Sequence, residues 1–114
     1  MSEPVRPADG NHYQWGGICD GWHLVRDVEL SVIEERMPPG AGERRHFHLR
    51  ARQFFYVLRG DLAMEVDGRH HRLSAGEGLE IAPGEPHQAS NTSQAEVRFL
   101  VISQPPSHGD RQPA

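Results

Sequence analysis

Two stretches decide the fold: GAGERRHFHLRARQFFYVLRG, residues 40–60, and GEGLEIAPGEPHQASN, residues 76–91. The first puts His46 and His48 one residue apart in a short strand candidate, Arg44–His48. Side chains at i and i+2 leave a strand on the same face, so the two imidazoles converge. Neutral imidazole is the commonest protein metal ligand, and two at this spacing make half a site. On its own the pair also fits a surface strand with two solvated histidines. Gln53 after a short polar turn, and His87 after the Pro83-Gly84-Glu85-Pro86 turn, shift the balance toward a site.

Outward from these stretches the pattern is strands. Residues 53–59 (QFFYVLR) are aromatic and β-branched, and Gly60-Asp61 ends them. Leu62, Met64 and Val66 recur at period two and run into Asp67-Gly68, a two-residue hairpin signal, with 69–73 returning. Residues 78–81, 87–91 and 97–102 supply further strands, and Val28, Leu30 and Val32 alternate with polar neighbours before the MPPG break at 37–40. No helical stripe or internal repeat interrupts this. Turn clusters spaced along the chain in this way specify an all-β sandwich or barrel in one domain.

Composition narrows the chemistry. All 12 basic side chains are arginine, so Schiff bases, a pyridoxal phosphate anchor and a P-loop lysine are excluded. A single cysteine, Cys19, excludes an intrachain disulfide and a thiolate-rich zinc site; it reads as a small apolar residue. A formal charge of −4 makes nucleic acid and anionic membrane poor partners. No apolar run is long enough to span a bilayer, and the N-terminus lacks the pattern of a signal peptide, so a cytoplasmic location is expected.

The spacing Gly40, His46-x-His48, Gln53, Gly60 resembles the first cupin motif, G-x5-H-x-H-x3–4-E-x6-G. Gly76, Ala82-x-Gly84-x-x-His87-x3-Asn91 resembles the second, G-x5-P-x-G-x-x-H-x3-N. The short stretch between them, 61–75, is similar to that of small single-domain bacterial cupins. The resemblance implies a double-stranded β-helix, or jelly-roll barrel, over residues 15–103. The flanks, 1–14 and 104–114, are expected to be mobile, and too short for a helix-turn-helix. It further implies a divalent metal (Zn, Mn, Fe, Ni or Cu) held by His46, His48 and His87, with Gln53 in the position usually held by glutamate. Gln53 either ligates through its amide oxygen or hydrogen-bonds beside three histidines and water. An amide brings no charge and takes up no proton, so the metal would be a stronger Lewis acid with weaker retention. Ala82 departs from the motif's proline, although Pro83 and Pro86 still stiffen the turn.

The function expected is a metal-dependent small-molecule enzyme, an oxygenase or a metal-assisted isomerase or lyase. The alternative is a non-catalytic binder of a sugar or organic acid, with or without metal. No proton shuttle is identifiable, and the catalytic residues are unassigned. If Gln53 faces the cavity, so do Phe55 and Val57, while Phe54, Tyr56 and Leu58 face outward and a homodimer is expected there. Residues 15–22 (WGGICDGW) read as an anchor for an edge strand, and His70-His71 as surface. Glu34 and Glu35 offer one inward carboxylate at most. The segment 107–111 (SHGDR) reads as a solvated tail, with Arg111 as an anion-binding alternative, and His12 and His23 are unplaced.

Overall fold

A computed structural model describes residues 2–9 and 11–114. After a single 3-10 turn, Pro7–Asp9, the chain is all strand. The strands are β1 (His12–Trp15), β2 (Cys19–Arg26), β3 (Ser31–Met37), β4 (His46–His48), β5 (Arg52–Arg59), β6 (Asp61–Val66), β7 (Arg69–Ser74), β8 (Gly78–Ile81), β9 (His87–Ser90), β10 (Val97–Gln104) and β11 (Arg111–Pro113). They form two antiparallel sheets, β1-β2-β3-β10-β5-β8 and β11-β4-β9-β6-β7. This is the jelly-roll arrangement expected.

The inward rows of both sheets meet in one core. Val57 and Phe99 from the first sheet, and Leu62 and Met64 from the second, are almost fully buried and belong to it. At ~25 cal/mol per Å2 of apolar area, this shared burial supplies the main force closing the sandwich. Asp67 and Gly68 both take positive φ, 49° and 87°, which the tight turn between β6 and β7 requires. Gly60 has φ 85°, and a Cβ there would strike the Glu96 carbonyl, so the Gly at this motif position permits close packing of two chain segments.

Three expectations are corrected. Residues 12–14 belong to the barrel and not to the flank: with Trp15 they form β1, the edge strand hydrogen-bonded to β2 from His12↔Trp22 to Trp15↔Cys19. This agrees with the anchoring role read for 15–22, as Cys19 is fully buried and Trp15 packs on the core. The segment 104–114 is not a solvated tail. It turns at Ser107–Asp110 and adds β11 to the second sheet with Arg111 opposite His48. Finally, the alternation at Val28, Leu30 and Val32 misleads. Val28 is 86% exposed in a connection, and the inward row of β3 begins at Ser31. The inward row there, Ser31, Ile33 and Glu35, lines a cavity and mixes polar with apolar residues, so the apolar alternation rule picks the wrong face.

Candidate metal centre

β4 and β9 lie side by side in the second sheet with His46 directly opposite His87, and His48 two residues on shares the face of His46. One ligand atom from each of the three histidines lies within 4.8 Å of the others. All three rings are buried. His46 Nδ1 hydrogen-bonds the Arg44 carbonyl at 2.8 Å and His87 Nδ1 the Glu85 carbonyl at 3.0 Å. Each bond is to the residue two places back, and each fixes the tautomer that leaves Nε2 as a lone-pair donor.

The polar atoms left over fit a metal. Among the described residues four buried side-chain atoms have no hydrogen-bond partner: His87 Nε2, His48 Nδ1 and Gln53 Oε1 at the cluster, and His23 Nδ1 apart from it. Burying unpaired acceptors together is costly unless something electron-poor meets them. Gln53 comes from β5 on the opposite sheet; its Nε2 donates to Ser103 Oγ at 3.0 Å, which orients the amide and leaves Oε1 free. Burial pushes the His46 and His48 imidazoles down to about 4, and His87 down as well, so all three stay neutral and able to ligate at neutral pH.

Backbone ties hold the two motif turns together. The Gly84 N–H donates to the His48 carbonyl at 2.7 Å, joining the turn before His87 to the strand of His48. Ala82, where the motif has proline, donates its N–H to Glu85 Oε1 at 2.8 Å, a bond proline would forbid. Buried Asn91 donates to the Met37 and Ala95 carbonyls and is thus a structural pin, not a ligand.

His46, His48 and Gln53 line a cavity of about 850 Å3, while His87 is fully buried and does not line it. Phe55, Ile33, Val101 and Trp15 give it apolar walls. Phe55 points in as expected, whereas Val57 lies in the core and does not reach the cavity. His12 and His23 also line the cavity, His12 pairing with Asp20 at 2.8 Å. His70 and His71 are exposed on β7, as read. Burial and nearby carboxylates push the Cys19 thiol up, which keeps it inert.

Among the described residues three carboxylates line the cavity, Asp27, Glu35 and Glu43; the sequence left Glu35 open and missed the other two. Glu35 on β3 settles the open choice with Glu34: it lines the cavity, while Glu34 pairs with Arg98 at 3.0 Å. Tyr13 donates to Glu35 Oε2 at 3.1 Å. Burial pushes the Glu35 carboxyl up to about 7, against the Tyr13 bond and the Arg111 charge, which pull it down. Glu43 is raised too, by burial and then by the Glu35 charge. It accepts the Ala89 N–H at 3.0 Å and lies 3.8 Å from His46 Nδ1. Glu43 sits inside the decisive stretch, three residues before His46, and a search for carboxylates flanking the histidines would have found it. Pro106, His108 and Arg111 of the C-terminal segment close another wall.

The cupin domain family model matches residues 33–103. The HTH-type transcriptional regulator PuuR of Escherichia coli (strain K12) is 29% identical over 76 residues, 67% of this chain and 41% of that protein. The oxalate-binding protein of Thermotoga maritima is 27% identical over 67 residues, 59% of this chain and 55% of that one. The chain thus spans about half the length, or less, of these two relatives. Among solved structures, KdgF from Halomonas sp. superimposes with a TM-score of 0.84 at 18% identity, covering 93% of this chain and 96% of that one. With both motifs, the jelly roll and a family match over well over half its length, the chain belongs to the cupin domain family.

Proposed function

We propose that this chain is a metal-binding cupin acting on a small organic molecule, with His46, His48, His87 and Gln53 Oε1 as the donors. The observation that carries it is the set of buried, unpartnered acceptors, His87 Nε2, His48 Nδ1 and Gln53 Oε1, around three converging histidines. Nitrogen and amide-oxygen donors suit Zn, Mn, Fe, Ni or Cu. Such an ion supplies a Lewis acid whose charge the neutral donors leave uncompensated.

The chain's own residues do the rest. Phe55 and Ile33 exclude water from one side, and Arg111, which has no ion pair among the described residues, adds positive charge to the cavity. This favours a small organic anion. A metal-assisted isomerase or lyase, or an oxygenase, is the activity proposed. The oxalate-binding relative supports a second reading, recognition without turnover. Phe54 and Leu58 are exposed on the outer face of β5, and a homodimer through that face belongs to the same proposal. No helix among the described residues is long and apolar enough to cross a membrane; a cytoplasmic location is likewise proposed.

Calorimetry with oxalate, pyruvate and glucose tests the substrate class. The zinc-loaded protein is expected to bind at least one of the two acids roughly 10-fold more tightly than the metal-free protein, since the ion contributes ~1.4 kcal/mol or more. Equal affinity with and without zinc, or binding of glucose alone, would refute the anionic assignment.

A further inference from the structure

The wall formed by β1, β2 and β3 carries a polar device that metal binding does not use. Glu35 lies on the inward row of β3, with Gly21 of β2 on one side and buried Phe99 of β10 on the other. Tyr13 of β1 pairs with Gly21, and its ring lies across that residue to reach Glu35. A Cβ on Gly21 would overlap the Tyr13 ring and come within 2.6 Å of its hydroxyl. The missing side chain is therefore what lets the tyrosine of the edge strand bond a carboxyl two strands away. Glu35 Oε2 takes this bond, and Oε1 has no hydrogen bond to any described residue.

Glu35 shares the cavity with His46 and His48 but contributes to neither histidine's hydrogen bonding. A half-buried carboxyl with one oxygen held and one free, on the wall of the cavity that His46 and His48 share, has the form of a general base. We propose that Glu35, oriented by Tyr13, is a catalytic proton-transfer residue, and that the substrate is a small carbonyl compound with an acidic C–H, a 2-oxo acid or a hydroxy ketone. This names a reaction class for the site proposed above and rests on that reading.

The step balances without an oxidant. Glu35 Oε1 takes the proton from the carbon next to the carbonyl as the C–H bond breaks. The electron pair moves to the carbonyl oxygen and forms an enolate, and Glu35 returns the proton to carbon or to oxygen. Reprotonation at the same carbon gives exchange with solvent, and reprotonation elsewhere gives isomerisation. Arg111, whose charge is felt by Glu35 and by all three histidines, stands in the same cavity to offset the enolate charge. The groups that face Glu35 are Tyr13 from β1, Cys19 from β2, Glu43 from the segment before β4 and Arg111 from β11. Burial raises its carboxyl, against the pull of Tyr13 and Arg111, to about 7, where a general base works best.

The test is deuterium wash-in from D2O into pyruvate, 2-oxobutyrate and dihydroxyacetone, followed by proton NMR on the full zinc-loaded chain. Wild type is expected to accelerate exchange in at least one of them, and Glu35→Gln to lower that rate roughly 100-fold while keeping its zinc and its fold. Tyr13→Phe removes a bond that holds the Glu35 carboxyl down, so its rate profile should move to higher pH. Gly21→Ala, which pushes the tyrosine aside, should reproduce that shift, whereas loss of packing alone would lower the rate at every pH. Exchange unchanged in Glu35→Gln overturns the assignment of Glu35. No exchange by wild type that holds one zinc per chain overturns the reaction class and leaves metal binding standing. Exchange that depends on Glu35 in a chain that never retains metal leaves the base standing and removes the metal reading.

Discussion

Replacing Asp110 by alanine should lower the melting temperature by roughly 10 °C, because three backbone donors lose their acceptor at once. Asp110 is only 3% exposed. Its Oδ2 accepts the N–H groups of Arg50 and Ala51 at 2.9 Å each, and its Oδ1 that of Leu49 at 3.2 Å. Residues 49–51 form the turn between β4 and β5, which carries His48 at one end and leads to Gln53 at the other. Asp110 thereby pins the segment that presents two proposed ligands, and also holds β11 against β4. Loss of the clasp frees Arg111 and His108 from the cavity wall, so zinc should also dissociate faster. Asp110→Asn keeps one acceptor oxygen and should fall between wild type and alanine.

The pH dependence gives this prediction a sign. The Ala51 and Arg50 N–H groups hold the Asp110 carboxyl below its ordinary value. A depressed carboxyl stabilises the fold above the unfolded pKa of about 3.9, and that stability is lost as pH falls through the lower folded value. The gap between wild type and Asp110→Ala should therefore be constant from pH 5 to 8 and close only in stronger acid. Thermal melts across that range check it; a gap that closes near pH 6 would mean the carboxylate is not the acceptor described.

The second large effect is expected at Gln53. A glutamate there would place a charged oxygen where the unpartnered amide oxygen now lies, with the Ser103 hydroxyl able to turn and donate to it. Zinc retention should rise roughly 10- to 100-fold. The metal-free variant should melt below wild type, because the new carboxylate is buried without a counter-charge. Opposite shifts in the two states distinguish a ligand from a bystander. Unchanged retention would place the amide outside the coordination sphere. Competition against a zinc-binding dye and paired thermal melts supply both readings.

The barrel and the histidine cluster are legible in the sequence because both depend on short-range pattern. His46 and His48 need only strand parity, and His87 needs a turn that Gly84 and Pro86 announce. What escapes is set by register and by distant pairing. Glu35 faces inward because β3 pairs Glu35 with Phe99 and Gly21, and nothing local separates it from Glu34. The C-terminal strand is polar and proline-rich, so composition marks it as solvated, yet Asp110 gains its place from backbone donors some sixty residues away. The motif places an amide, Gln53, where a carboxylate usually stands, so it announces no proton shuttle. The carboxyls of this cavity instead come from Asp27, Glu35 and Glu43, outside the ligand set.

Metal analysis of untagged protein decides whether the chain carries a metal on its three histidines. One divalent ion per chain in wild type, lost in His46→Ala with the fold intact, is the result expected. A chain with no stoichiometric metal, or one whose metal content His46→Ala leaves unchanged, would contradict it.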